Sequence, residues 1–193
     1  MQALQPAEET WSYQWDYTMG APDTALWDYP IGGGPASFEG NEGLYFGMSS
    51  NAYAGLCFKD YAAWLGQKAV YEVEVKVIST FGNGFRIVCV SGSNGVPDNC
   101  GLQVTINSGY LNVVHGGDLL SSITKDATIA YNEWHKVRLE LNTGSNENKV
   151  YLDDELIDTV TNANLSVQYA TNVWCLMQLG EAYVKSVRYR KED

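Results

Sequence analysis

Residues 131–160 read YNEWHKVRLELNTGSNENKVYLDDELIDTV, and the period of this stretch decides the fold. Val137, Leu139 and Leu141 fall on one side of an extended chain, and Lys136, Arg138 and Glu140 fall on the other. Thr143 to Asn148 is a loop-forming run of Gly, Ser and Asn. A second alternating run follows at Val150-Tyr151-Leu152, then a tight acidic turn at Asp153-Asp154-Glu155, then Leu156-Ile157. The stretch predicts a three-stranded antiparallel meander with one apolar and one polar face.

The same alternation spreads outward in both directions. In Val70 to Val77, the residues Val73, Val75 and Val77 take the core side, and Glu72, Glu74 and Lys76 take the other. Gly82-Asn83-Gly84 reads as a turn before a strand at Phe85 to Val90. Cys100 to Ile106 pairs through Asn107-Ser108-Gly109 with Tyr110 to Val114. Val173 to Leu179 is nearly continuous in apolar residues, as when both faces of a strand are covered, and Ala182 to Tyr189 closes the chain. Nearer the start, Trp11, Tyr13, Trp15 and Tyr17 are spaced by two and fall on one strand face. Strands are also predicted before Met48 and over Tyr53 to Phe58, with a short helical turn or loop at Tyr61 to Gly66. No repeat, low-complexity tract or linker interrupts the pattern. It predicts an all-β domain over residues 1–193, built as two stacked antiparallel sheets.

The Trp134-His135 opening, the alternating run after it and the VYLDDELI hairpin resemble the concanavalin A-like, laminin-G-like jelly-roll domains. The early YEVEVKV and late AYVKSVRYRK strands fit that resemblance too, so it covers most of the chain. In that family the hairpin turn usually carries Gly where Asp154 stands, which predicts a longer type I turn here rather than the primed form. The resemblance implies a lectin-like or glucanase-like β-sandwich, an extracellular or cell-surface setting, and in some members a rim calcium. Asp98-Asn99 and Asp153-Asp154 are the oxygen donors that would suit one, without EF-hand spacing, and no other cofactor is implied.

Composition narrows the partners. A net charge of -11 argues against nucleic acid and anionic membrane, and no apolar run is long enough to span a bilayer. The opening MQALQPAEETW has neither the basic nor the apolar region of a secretory signal. Four cysteines, Cys57, Cys89, Cys100 and Cys175, allow three pairings if oxidised; Cys89 and Cys100 flank a loop and suit a bridge between neighbouring strands. Four buried thiols fit the same spacing equally well.

Catalysis is tested by the acids that the resemblance calls for. Related glucanases carry alternating Glu and Asp residues on one strand, because retaining hydrolysis needs two carboxyl groups about 5–5.5 Å apart. The matching strand here is Asn99 to Ile106, where Gly101, Gln103 and Thr105 hold the outward positions and no carboxylate is present. Glu72 and Glu74 lie one strand too early and read as a solvated face. His135 shares parity with Val137 and reads as a packed or capping residue. No nucleophile elbow, zinc spacing or phosphate loop appears.

The leading expectation is therefore a carbohydrate-binding module without catalysis. Sugars offer apolar C–H faces to aromatic rings and hydroxyl rims to amides and guanidiniums. The candidates are Trp27 and Tyr29 as an exposed aromatic pair beside the Gly32-Gly33-Gly34 loop, Trp64, and Arg86 with Gln103 on one outward face. The alternatives are a structural or adhesion module with a protein partner, in a surface protein or a phage tail, and a glycoside hydrolase or lyase whose acids come from loops.

Overall fold

The computed structural model describes residues 10–31, 34–48, 54–58, 68–90, 100–115, 123–142, 144–145, 147–161 and 172–192. Strands dominate them: β1 (Tyr13–Asp16), β2 (Trp27–Ile31), β3 (Ala36–Phe38), β4 (Leu44–Met48), β5 (Ala54–Phe58), β6 (Lys68–Val90), β7 (Cys100–Asn107), β8 (Tyr110–His115), β9 (Ile123–Thr128), β10 (His135–Asn142), β11 (Asn148–Leu152), β12 (Glu155–Val160) and β13 (Asn172–Glu192). Every pairing is antiparallel.

Two strands carry the architecture. The sequence predicts a turn at Gly82-Asn83-Gly84 and separate strands at Val173 to Leu179 and Ala182 to Tyr189. Instead β6 and β13 each run through these points as one bent strand, and they pair with each other from Asn172↔Val90 to Glu192↔Lys68. Ladder register shifts at Gln178/Gly180, where β13 passes from one layer of the sandwich to the other. The first halves and second halves then recruit different neighbours. One layer runs β12-β11-β10-β6-β13-β4-β3, with β1 also on β13. The other runs β9-β8-β7-β6-β13-β5-β2.

Glycine permits both corners. Gly84 has φ +68, and a Cβ there would stand 2.2 Å from the Ile106 carbonyl oxygen. Gly180 has φ +148, and its Cβ would stand 2.2 Å from the Ser79 carbonyl oxygen. Neither backbone nor space accepts a side chain, so neighbouring main chains close onto the bend.

The alternation read from sequence places the core. Val73, Val75, Val137, Leu139 and Val187 meet Ile87, Val104, Ile106, Val113 and Met177 in one continuous apolar cluster. On the opposite side of β6, Glu72 pairs with Arg188 and Glu74 with Lys185 at 3.4 Å each. Lys185, the extra residue of a bulge, also lies over the rings of Trp134 and Tyr17. These carboxylates belong to an ion-paired outer face. Of the aromatic row, only Trp15 is fully in the core: Tyr13 packs against it, Trp11 stacks under Arg188 and Arg190, and Tyr17 begins a 3-10 turn.

The acidic hairpin corrects one expectation. Leu152 pairs directly with Glu155, leaving a two-residue turn in which Asp153 has φ 49 and Asp154 φ 68. Both values belong to the primed turn, not to a longer type I form. Asp153 holds this conformation by accepting from the Lys136 backbone N–H and facing His135 Nδ1, both at 2.8 Å. His135 Nε2 faces the Ala130 carbonyl oxygen at 3.0 Å, so the ring is packed and engaged at both nitrogens.

Gly84→Ala and Gly180→Ala should each lower stability by about 2–3 kcal/mol, since a strained φ adds to a main-chain clash; urea unfolding measures this. Asp153→Ala should cost about 1–2 kcal/mol through its lost hydrogen bonds. Asp154→Gly should leave stability unchanged or raise it, because glycine accepts the left-handed backbone without strain.

Candidate functional site

Alternation leaves the β2, β5, β13, β6, β7 and β8 layer with one face on the core and one turned away from it. Along β7, Leu102, Val104 and Ile106 enter the core cluster, so Gln103 and Thr105 stand on the far face. Register brings the partners beside them. Arg86 of β6 is opposite Thr105, Thr105 is opposite Asn112 of β8, and Leu176 of β13 is opposite Arg86. Arg86 and Gln103 therefore share a face as diagonal neighbours, as their parity predicted.

Burial distinguishes this face from an ordinary polar surface. Arg86 is 1% exposed and Gln103 is 2% exposed, with Thr105 and Leu176 buried beside them. A guanidinium is seldom placed so deep without polar company. Here Arg86 Nη2 donates to Gln178 Oε1, and Gln103 Nε2 donates to Thr105 Oγ1 at 2.7 Å. The result is a floor of donors and acceptors held at fixed positions by a rigid sheet.

The aromatic expectation is corrected. Trp27 is 3% exposed and belongs to the core, so the expected exposed pair does not exist. Tyr29 is half-buried, packs against the same core and meets Phe46 edge-on at 6.4 Å, and burial raises its phenol pKa. The reason lies in the Trp27-Asp28-Tyr29 alternation: if both rings go inward, the residue between them goes outward. Asp28 stands opposite Cys57, with its Oδ2 4.0 Å from the Cys57 thiol, on the polar-face side. Sequence reasoning missed Asp28, although the period-two spacing carried the signal. Trp64 lies outside the described residues, as does Asp98-Asn99. The side chains of Cys89 and Cys100 are likewise outside them. Asp153 and Asp154 are committed to the hairpin and to Lys136. Among the described residues no three of His, Cys, Asp and Glu converge as metal ligands. Cys175 is a buried thiol whose pKa burial pushes up to about 12.

A concavity of about 540 Å³ opens where β6 and β13 turn between layers. It is lined by Pro35, Tyr45, Gly47, Ser79, Phe81, Leu179, Gly180 and Glu181. Gly47 makes room for it: a Cβ there would sit 2.6 Å from the Tyr45 hydroxyl, so the phenol folds back along its own strand. It thereby reaches Glu181, the residue opposite Gly47, and donates to Oε1 at 3.0 Å. Burial first, and then this carboxylate, push the Tyr45 pKa up to about 12.

No protein-family model matches this chain, and no curated protein matches it by sequence. Solved structures match its fold. The carbohydrate binding module CBM66 from Bacillus subtilis aligns with a TM-score of 0.61 at 15% identity, over 85% of this chain and 94% of that one. The carbohydrate recognition domain of Emp46p in its potassium-bound form gives 0.71 at 13% identity, over 94% and 98%. The exoplasmic/lumenal domain of VIP36 in a Ca2+/Man-bound form gives 0.65 at 14% identity, over 90% and 86%. The chain is thus an all-β, antiparallel sandwich with the fold of these lectin-type domains. Identities this low speak for fold alone.

Spectrophotometric titration should find one tyrosine fewer ionising at the alkaline end in Tyr45→Phe than in the parent chain. The sign follows from the raised pKa. The stability contributed by the protonated phenol is fully present below the ordinary tyrosine value of about 10 and is lost as pH climbs through about 12.

Proposed function

We propose that this chain is a single carbohydrate-binding domain over residues 1–193, and that its binding surface is the polar face around Arg86 and Gln103. The observation that carries the reading is the placement of Arg86, Gln103, Thr105 and Gln178 together on the face turned away from the core. Amides donate and accept while guanidinium only donates, which matches a ring of sugar hydroxyls in both directions; the half-buried Gln178 and Asn112 are the members of this face that a sugar would meet, held from beneath by the buried Arg86, Gln103 and Thr105. Rigidity matters as much as chemistry. Side chains anchored on paired strands and on each other lose little freedom when a ligand arrives.

The lectin-type neighbours support the class of ligand. Two carry carbohydrate recognition or carbohydrate binding in their own descriptions, and the third is described in a Ca2+/Man-bound form. A sialidase aligns over 94% of this chain and only 18% of its own length, with a TM-score of 0.69. That supports a module of a larger secreted or surface protein, with the laminin-G-like domains as its relatives in architecture. Hydrolysis has no equivalent support: Glu72 and Glu74 are engaged by Arg188 and Lys185, and β7 offers Gln103 and Thr105 where a glucanase needs acids.

A glycan array, run with and without calcium, should give a reproducible hit. Gln178→Ala and Arg86→Lys should weaken it about ten- to hundredfold, the range for losing hydrogen bonds to a charged or buried group. Circular dichroism must show both variants folded. A blank array from folded protein would discard this reading in favour of a module that binds protein.

A further inference from the structure

The corner pocket is chemically unlike the polar face. Its walls are the Phe81 and Tyr45 rings, Pro35, Leu179 and the glycine backbones, and its polar groups are Ser79 and the Glu181 carboxylate. Phe81 is 66% exposed, an unusual position for a phenylalanine, and it stands where β6 bends. Leu179 adopts φ 62, a strained backbone for a branched side chain that the bend of β13 imposes.

Charge identifies what would complement these walls. Glu181 is exposed and receives the Tyr45 hydroxyl, a neutral donor. No lysine, arginine or histidine among the described residues pairs with it. Lys76 lies over the Tyr183 ring and is held by Glu42, while Tyr183 itself donates to Glu39 at 3.1 Å. The Tyr45 and Tyr183 rings meet at 5.2 Å, tilted by 49°, so the aromatic surface continues from the pocket wall to a second tyrosine backed by a second carboxylate. An aromatic concavity with an anionic wall attracts a cation that carries apolar bulk, because the ring faces and the carboxylate add their fields while the apolar surface leaves water. An inorganic cation suits it poorly, since ring faces cannot replace its water shell.

We propose that this pocket binds an organic ammonium group, an alkyl- or quaternary-ammonium on an apolar body, with Glu181 as counter-ion and the rings of Phe81 and Tyr45 as its walls. The glycines are part of the device. Gly47 lets the Tyr45 ring lie flat along the strand, and Gly180 lets β13 turn without filling the corner. The site is independent of the polar sheet face, which lies on the other layer.

Choline, titrated into the labelled protein and followed by amide NMR, tests this. Signals from Gly47, Gly180 and Glu181 should move together, and the neutral isostere with carbon in place of nitrogen should bind at least about tenfold more weakly. Glu181→Gln keeps the acceptor for Tyr45 and should weaken choline about tenfold; Phe81→Ala should weaken it several-fold, roughly in line with one cation–ring contact. Both residues are exposed, so thermal melts should show these variants folded. Glu155→Gln removes the same charge from an exposed position at the β11–β12 hairpin and should leave binding unchanged. The proposal is overturned if choline moves no signals, if the neutral isostere binds equally, or if Glu155→Gln weakens binding as much as Glu181→Gln.

Discussion

The antiparallel pairing of β6 with β13 is the constraint on which the molecule depends. Each strand serves two layers, so their ladder connects both sheets before any loop does. Strands that serve two sheets must bend, and a bend brings main chains closer than a Cβ allows. Gly84 and Gly180 answer that demand with positive φ and bare α-carbons against the carbonyls of Ile106 and Ser79. What looks in sequence like two turns and four strands is therefore two strands and two corners. A hairpin turn would have paired the halves of β6 with each other and closed only one sheet.

The two layers use the same alternation for different ends. In the β10–β6–β13 layer the outer face is a set of ion pairs, with cations laid over aromatic rings: Lys76 and Lys185 on Trp134, and Arg188 and Arg190 on Trp11. These are partly exposed contacts that cover the sheet, each of modest energy. In the β7–β6–β13–β5 layer the outer face instead holds a buried guanidinium, amides and a hydroxyl. Deep polar groups are costly unless satisfied, and their mutual hydrogen bonds fix them in place. Evolution tolerates such groups where recognition needs fixed donors and acceptors, which is why this face rather than the ion-paired one carries the proposed carbohydrate site.

The corner pocket follows from the same bends. Turning β13 at Leu179 and Gly180 opens a gap that Tyr45, swung over Gly47, lines without filling. Its carboxylate and rings are thus a by-product of the topology that a binding role can exploit, at the expense of a strained leucine.

Period-two alternation alone determined the sheet content, the polarity of each strand and most of the core. Val73, Val75, Val137, Leu139, Leu102, Val104 and Ile106 are buried where alternation placed them, because a strand's side chains alternate whatever it pairs with. It also put Arg86 and Gln103 on one face, and it showed that β7 lacks a glucanase's acids. Whether a face is open or covered is a property of the layers stacked on it, and alternation is silent about that. So Trp27, read as exposed, is in the core, while Asp28 between the two rings is on the polar side. The sign of φ at Asp153 and Asp154 was equally hidden, because the hydrogen bond from the Lys136 backbone that favours the primed turn comes from another strand. Only tertiary pairing set it. The corner pocket too was invisible, since Tyr45 and Glu181 meet across 136 residues of chain and are brought together by the β4–β13 ladder.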